Sequence, residues 1–373
     1  MSIFYKGKKW SISIVINIII CCLAAITSFA YFLDILGTIH FAEKEESNCA
    51  QNLIENLINN VSIQSQARAE VIATLPPVKE AFRNKNKKDL IDILHAAIDG
   101  QHDKYGVAEA NFYEPPAKIF LRMTELDNEE EEDQSSFRKM IVDAINQGVE
   151  NKGLEIGRQG LDIRGVYPVI DNAGLIGVFE IGMSFTNVLK LNKKISGFDA
   201  GVFVDKDLYQ QIATETPKLD KNHYIGNFVN QYSTNKELIH RIIKKEQLDN
   251  VTKNKNFIVK DKETKEHFGF IEIPLLDFKG NKIGVLVLIK NYDNYFMIEK
   301  QLIIISIAFF FFQIALLMGI ANIFINATML KPFLLLIDLI KAKKINQSLP
   351  DTSELDNTSM EIINIKNKIN TVD

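Results

Sequence analysis

Pro168-Val-Ile-Asp171-Asn-Ala-Gly174-Leu-Ile176-Gly177-Val178 recurs farther along the chain as Pro274-Leu-Leu-Asp277-Phe-Lys-Gly280-Asn-Lys-Ile283-Gly284-Val285. Each copy has the chemistry of a β-hairpin. An apolar run (Val166 to Ile170, Ile271 to Leu276) enters a turn whose Asp can bond its own backbone and whose Gly can take positive φ, and a second apolar run leaves. A single Asp-x-x-Gly hairpin is common, and two ordinary hairpins can coincide. Two copies with Pro, Asp, Gly, Ile and Gly in the same order point instead to two similar lobes of helix and sheet in tandem, an α+β fold.

The chain of 373 residues is long enough for two modest domains plus extras, and its net charge of −4 gives no reason to invoke nucleic acid. Ile12 to Leu33 is apolar apart from Ser13, Asn17, Thr27 and Ser28, and Leu302 to Ile325 holds Gln313 and Asn322 as its strongly polar members. Each run supplies the roughly 20 residues that a helix needs to cross hydrocarbon. Lys6, Lys8 and Lys9 precede the first run, while Lys331, Lys341, Lys343 and Lys344 follow the second. Both chain ends are therefore expected in the cytoplasm, with residues 37–300 outside. The competing reading, a cleaved signal peptide ending near Ser28-Phe29-Ala30, has to accept an unusually long apolar run. Cys21 and Cys22 fall in the first span, so Cys49 has no partner in its own external domain; a free thiol and a bridge to a second copy both remain open.

Between the spans, Leu53, Ile54, Leu57, Ile58, Val61, Val71 and Ile72 predict a helical stem over 39–75 that Pro76 and Pro77 end. A second helix is expected over 78–98, strands over 105–112 and 118–123, and a helix over 135–147 capped by Ser135 or Ser136. The run Glu129-Glu-Glu-Glu-Asp133 lacks the alternating ligands and turn glycine of a calcium loop and reads as a solvated loop. Strands over 154–157, 163–170 and 175–185 complete a membrane-distal lobe (about 100–190), and 190–196 links it to a membrane-proximal lobe (about 198–296). That second lobe is read as strands over 201–204, 257–260, 267–274 and 282–290 with a helix over 236–245. Beyond the second span, Phe333, Leu336, Ile337 and Ile340, then Ile362, Ile365, Ile369 and Val372, repeat at coiled-coil spacing.

Glu114-Pro-Pro-Ala-Lys-Ile-Phe-Leu-Arg122, Ser136-Phe-Arg138 and Gly153-Leu-Glu-Ile-Gly-Arg158-Gln-Gly-Leu-Asp-Ile-Arg164-Gly-Val-Tyr-Pro168 resemble the extracytoplasmic double Cache domain of bacterial chemoreceptors and sensor kinases. The resemblance covers residues 40–296 and is strongest over 114–182. It implies two tandem PAS-like lobes on a long N-terminal helix, flanked by two transmembrane helices. That branch usually has His where this chain has Tyr113 and Thr124. Residues 327–373 resemble a HAMP relay, with Glu361 at the Glu of that family's Asp-Glu pair but without its usual connector glycine. The sequence then reaches Asp373 with no kinase, cyclase or methyl-accepting hairpin.

An arginine fork can hold a carboxylate bidentately, and a cavity wall strengthens the pairing. Arg122, Arg138, Arg164, Tyr167 and Glu180 are therefore the expected ligand contacts, with Arg158 and Asp162 nearby and a small anionic metabolite, an organic acid or amino acid, as ligand. The same arginines have an alternative use, pairing with Glu155, Asp162 or Glu180 inside the lobe, and Tyr167 can be a core aromatic. The histidines show no metal or catalytic spacing, and the chain has neither a phosphate loop nor a nucleophile elbow. No cofactor, metal or enzymatic activity is expected. The favoured reading is a homodimeric chemoreceptor-type protein of the bacterial cytoplasmic membrane, with the sensor domain on the outer side. The second is a receptor remnant acting through interaction alone.

Overall fold

The computed structural model describes residues 2–5, 8–215, 223–243, 248 and 255–345. Two short strands, β1 (Ser2–Tyr5) and β2 (Lys8–Ser11), precede the long helix α1 (Ile12–Thr74). Pro76 and Pro77, which have no N–H to continue a helix, open the next one, α2 (Pro76–Arg83). In α3 (Lys87–Tyr105) the Asn86 side chain accepts from the Asp89 N–H at the start, and Gly106 closes the end at φ +75°.

The chain continues through β3 (Val107–Glu114), β4 (Lys118–Arg122), α4 (Lys139–Gln147), β5 (Asn151–Gly157), β6 (Gly160–Asp171), β7 (Gly174–Met183) and α5 (Phe185–Ser196). The second lobe holds β8 (Asp199–Asp205), α6 (Lys206–Ile212), β9 (Tyr224–Ile225), β10 (Phe228–Ser233), α7 (Lys236–Ile242), β11 (Lys255–Lys260), β12 (His267–Leu276) and β13 (Lys282–Asn291). Then come α8 (Asp293–Ile325), a π-helical turn over Asn326–Leu330, and α9 (Lys331–Ile345).

These elements form two units, Ala42–Phe296 and Met1–Phe41 with Met297–Asp373. Within the latter, α1 and α8 are each long and apolar enough to cross a membrane. Their apolar side chains point outward: Ile26, Phe29, Ile304 and Ile323 are all more than 60% exposed. That arrangement suits a lipid solvent and costs heavily in water. Ser28 Oγ donates to Gln313 Oε1 at 2.9 Å.

Within Ala42–Phe296 the repeated phrase folds twice into the same object. The distal sheet runs β4-β3-β7-β6-β5 and the proximal sheet β11-β12-β13-β8-β10-β9, with every pairing antiparallel. Each lobe's last strand lies between its first strand and the strand it turns back from, so β7 and β13 occupy equivalent places. Asp171 and Asp277 accept the N–H groups of Ala173 and Lys279 in the two turns, and Gly174 and Gly280 sit at φ +120° and +89°. A bulge follows Val169 in one hairpin and Leu275 in the other. The glycines just beyond are steric necessities: a Cβ at Gly177 would lie 2.2 Å from the Tyr113 carbonyl oxygen, and one at Gly284 2.3 Å from that of Phe203.

Several expectations shift. Residues 190–196 belong to α5, whose N-terminus Ser184 caps by accepting the Thr186 N–H, rather than to an open linker. Helix α4 begins at Lys139, not Ser135, because Gln134 and Asp133 hold residues 135–138 in turns. Strand β10 escapes a hydrophobicity reading because Asn230 and Gln231 interrupt it, their side chains reaching the backbone of Val202 and Leu161. The repeat at Ile362 to Val372, with Glu361, lies outside the described residues.

Candidate ligand site

Strand alternation gives the distal sheet two unlike faces. Ala110, Phe112, Ile163, Val169, Phe179 and Ile181 are buried in the core that also takes Ala69 and Ile72 of α1. The intervening positions are polar: Glu109, Asn111 and Tyr113 on β3, Glu180 on β7, Asp162 and Arg164 on β6, and Glu155 on β5. All of them are buried.

Burying charge is tolerable only if it is paired and hydrogen-bonded, and this face meets that requirement with a closed network. Arg164 grips Glu109 bidentately, Nη1 and Nη2 donating at 2.8 and 2.9 Å, while Nη1 also donates to Glu180 at 3.0 Å and Nε to the Glu155 carbonyl at 3.1 Å. Arg138 donates from Nε to Glu155 at 2.9 Å, from Nη1 to the Tyr113 hydroxyl at 2.8 Å, and from Nη2 to Glu180. The Tyr113 hydroxyl in turn donates to Glu180 Oε2 at 3.0 Å. Glu155 Oε1 accepts the Met140 N–H at 2.7 Å and so caps the start of α4.

Two guanidinium groups face four carboxyls here, and burial, offset where an arginine lies close, sets the protonation pattern. Burial works against ionised Glu180, but Arg138 and Arg164 on either side hold its carboxyl down at about 2. Burial pushes Asp162 up to about 7 and Glu155 above the usual range, in each case against the pull of an arginine. Burial also raises the Tyr113 hydroxyl, which stays a donor.

Above this network lies a small polar cavity of about 10 Å³, about enough for one water. Glu109, Asn111, Tyr113, Ile119, Arg122 and Thr124 line it, together with Glu125, Gln134, Arg158, Gln159 and Glu215. Arg122 is 5% exposed; Nη1 donates to the Glu130 carbonyl at 2.5 Å, while Nη2 has no hydrogen-bond partner. Asn111 Oδ1 is likewise buried without a donor. Arg158 is held by Glu132, which lies below the usual carboxylate range mainly through that bond. The acidic run is largely exposed, as a solvated loop, and is also tied down, Glu131 accepting from Lys87 and Lys118 at 2.8 and 2.7 Å.

Of the residues expected to touch ligand, Arg122 lines the cavity. Arg138, Arg164 and Glu180 come together beneath it, bonded to one another and to Glu109 and Glu155, which is the alternative use the sequence also allowed. Tyr167 is not brought to this face: it is half-buried among the hydrophobic core residues on the side of α1, where burial and then Glu70 raise its hydroxyl. Glu109, Asn111, Gln134 and Glu215 escaped the sequence reading. The first two had a signal, polar residues at alternate positions of a strand that is otherwise apolar. Glu215 had none, because it belongs to the other lobe. Tyr113 and Thr124, where the resembled pattern has His, both line the cavity. Among the described residues no His, Cys, Asp or Glu group is arranged to hold a metal ion.

Residues 43–295 match a family described as the double sensory domain of two-component sensor kinases, a double Cache family. The chain belongs to it. This double Cache chain is also similar to solved structures. The ligand-binding domain of the Campylobacter jejuni chemoreceptor Tlp3 in complex with L-valine is 12% identical, covers 71% of this chain and 96% of its own, and has a TM-score of 0.40. The sensor domain of the Vibrio cholerae histidine kinase DctB is 12% identical over 67% of this chain and 97% of its own, at a TM-score of 0.39. The periplasmic domain of Vibrio cholerae LuxQ is 10% identical over 66% and 98%, at 0.38. No curated protein matches the chain. Membership rests on the family match. The chain thus carries a double Cache sensor domain.

Proposed function

We propose that this double Cache chain is a homodimeric receptor of the bacterial cytoplasmic membrane, a binding protein rather than an enzyme. Its distal cavity takes a small metabolite bearing a carboxylate, and displacement of α8 passes the signal to the cytoplasmic segment, as a chemotaxis receptor would. The observation that carries the reading is the pair of buried, unpartnered groups in the cavity, the donor Arg122 Nη2 and the acceptor Asn111 Oδ1. Buried polar atoms in folded proteins are nearly always bonded, so such a pair is what a ligand with complementary groups would satisfy. A charge-assisted bond from Arg122 would orient a carboxylate, and Asn111 would take an N–H or O–H of the same molecule. Beneath them, the rigid arginine–carboxylate network holds the floor in place, which limits the ordering cost of binding.

At about 10 Å³ the cavity must widen to admit an organic acid or amino acid. Binding therefore has to favour a second arrangement of its walls, which is the requirement for signalling. Toward the membrane, the end of β13 and the start of α8 are fastened to the stem: Tyr292 bonds Ser47 at 3.0 Å, Tyr295 donates to Glu46 at 2.9 Å, and Lys290 pairs with Glu46. Exposed Ile63 and Val71 on α1 support a second copy packing along the stem.

The test is a thermal-shift screen of residues 37–300 against organic acids, amino acids and purines, since a ligand of the native state raises the melting temperature by mass action. The expected hit carries a carboxylate, and Arg122→Ala lowers its affinity at least about tenfold, the scale of one lost charge-assisted bond. An acid that binds Arg122→Ala as tightly as the unaltered protein would reject the site.

A further inference from the structure

Glu215 lines the distal-lobe cavity although it follows α6 of the proximal lobe. Its backbone N–H donates to the Arg158 carbonyl at 3.0 Å, and Arg158 Nη1 returns a bond to the Ile212 carbonyl at 3.0 Å. That reciprocal clasp brings the Glu215 carboxylate to 3.9 Å from Arg122 Nη2, the atom with no hydrogen-bond partner. The separation is within ion-pair range but beyond hydrogen-bond range. We propose that Glu215 is a tethered carboxylate that holds Arg122 until a ligand's carboxylate displaces it, so that the proximal lobe reads occupancy of the distal cavity.

The inference rests on the carboxylate site proposed above and adds the residue that competes for it. A free carboxylate can approach the guanidinium at about 2.8 Å with a directed bond, whereas the tethered one is held off by its backbone clasp. The charges facing Glu215 agree with easy release. Arg122 and Arg158 attract it, but Glu109, Glu125 and Glu132 crowd the same space, and burial raises its carboxyl despite Arg122. The side chain is 31% exposed, against 5% for Arg122, so Glu215 has a route into water and the arginine does not. Once released, Glu215 no longer ties the segment after α6 to β4. Among the described residues, that segment also meets the distal lobe through Arg158, whose carbonyl takes the Glu215 N–H and which spans Glu132 of the acidic loop and Ile212 of α6.

The experiment uses the full chain in lipid nanodiscs, with calorimetric titration of acetate, glycine and succinate in carboxylate-free buffer. Whichever probe binds the unaltered chain is expected to bind Glu215→Gln about tenfold tighter, the gain from freeing a site that is otherwise open about a tenth of the time. Glu215→Asp, which keeps the charge but shortens its reach, is expected to bind tighter as well, and Arg122→Gln to lose binding in either background. Hydrogen exchange over α6 and Glu215 is expected to quicken when the unaltered chain is saturated with the probe, and to be quick already in Glu215→Gln without it. If Glu215→Gln and Glu215→Asp bind at the unaltered affinity while Arg122→Gln abolishes binding, the latch is wrong and the carboxylate site stands. If no probe binds the unaltered chain or Glu215→Gln, or if binding survives Arg122→Gln, both are overturned.

Discussion

Asp162 makes the charge imbalance of the buried network measurable. Its folded carboxyl holds a proton up to about 7, against 3.8 for the free side chain. Between those values the folded chain binds more protons than the unfolded one, so this group lowers stability as pH rises through the window. Glu180 acts in the opposite sense: its depressed carboxyl adds stability above about 4.5 that is lost as pH falls toward 2. Asp162→Asn is therefore expected to gain stability relative to the unaltered domain between pH 4.5 and 7.5, read as the difference in urea midpoints of the isolated Ala42–Phe296 unit. A constant difference across that range would mean Asp162 is ionised throughout. Removing a partner is another matter. Arg138→Met leaves Glu155 and Glu180 buried without their cation and should cost about 3–5 kcal/mol in the same assay. The sequence named these residues and left two uses open: arginines and carboxylates at alternating positions look alike whether they face a ligand or each other, and only the neighbouring strand decides.

At the scale of elements, the twin hairpins were legible because every feature that shapes them is local. Asp at the turn bonds its own backbone, Gly follows at positive φ, and the bulge falls after the same position in both copies. Gly177 and Gly284 are less obvious, since each exists to let a carbonyl of the adjacent strand approach. Gly177→Ala is expected to cost about 1–3 kcal/mol by urea unfolding, because the new Cβ meets backbone that cannot yield. By contrast, Ala at Gly280 clashes with nothing and should lose only through its φ of +89°. Strand β10 was misread because its polar residues are satisfied by partners distant in sequence, and composition alone makes such a segment look like a loop.

Across the sensor unit, polar links join the two lobes to each other and to the stem. Tyr232 of β10 donates to Asp162 at 3.1 Å, Gln231 accepts the Leu161 N–H at 2.9 Å, and the Phe278 N–H reaches the Leu154 carbonyl at 3.2 Å. Where the stem meets the end of β13, Glu46 takes both Lys290 and Tyr295. Glu46→Gln combined with Tyr295→Phe is expected to raise amide exchange over 290–296 without changing exchange in the distal sheet, measured by mass spectrometry. Faster exchange in both places would show one cooperative unit instead of a local fastening.

The long apolar helices, tandem lobes and family were all carried by short-range order in the chain. Apolar run length, helical and strand periodicity, turn chemistry and a few fixed spacings each act on neighbours in sequence, so they survive without coordinates. Which arginines are enclosed by carboxylates was settled by packing instead. Arg138, Arg164 and Arg122 have the same chemistry, yet two are enclosed by carboxylates from other strands while the third keeps a bare Nη2 beside Glu215 of the opposite lobe. Long-range pairing of charges in a low-dielectric interior depends on distances that no spacing along the chain encodes.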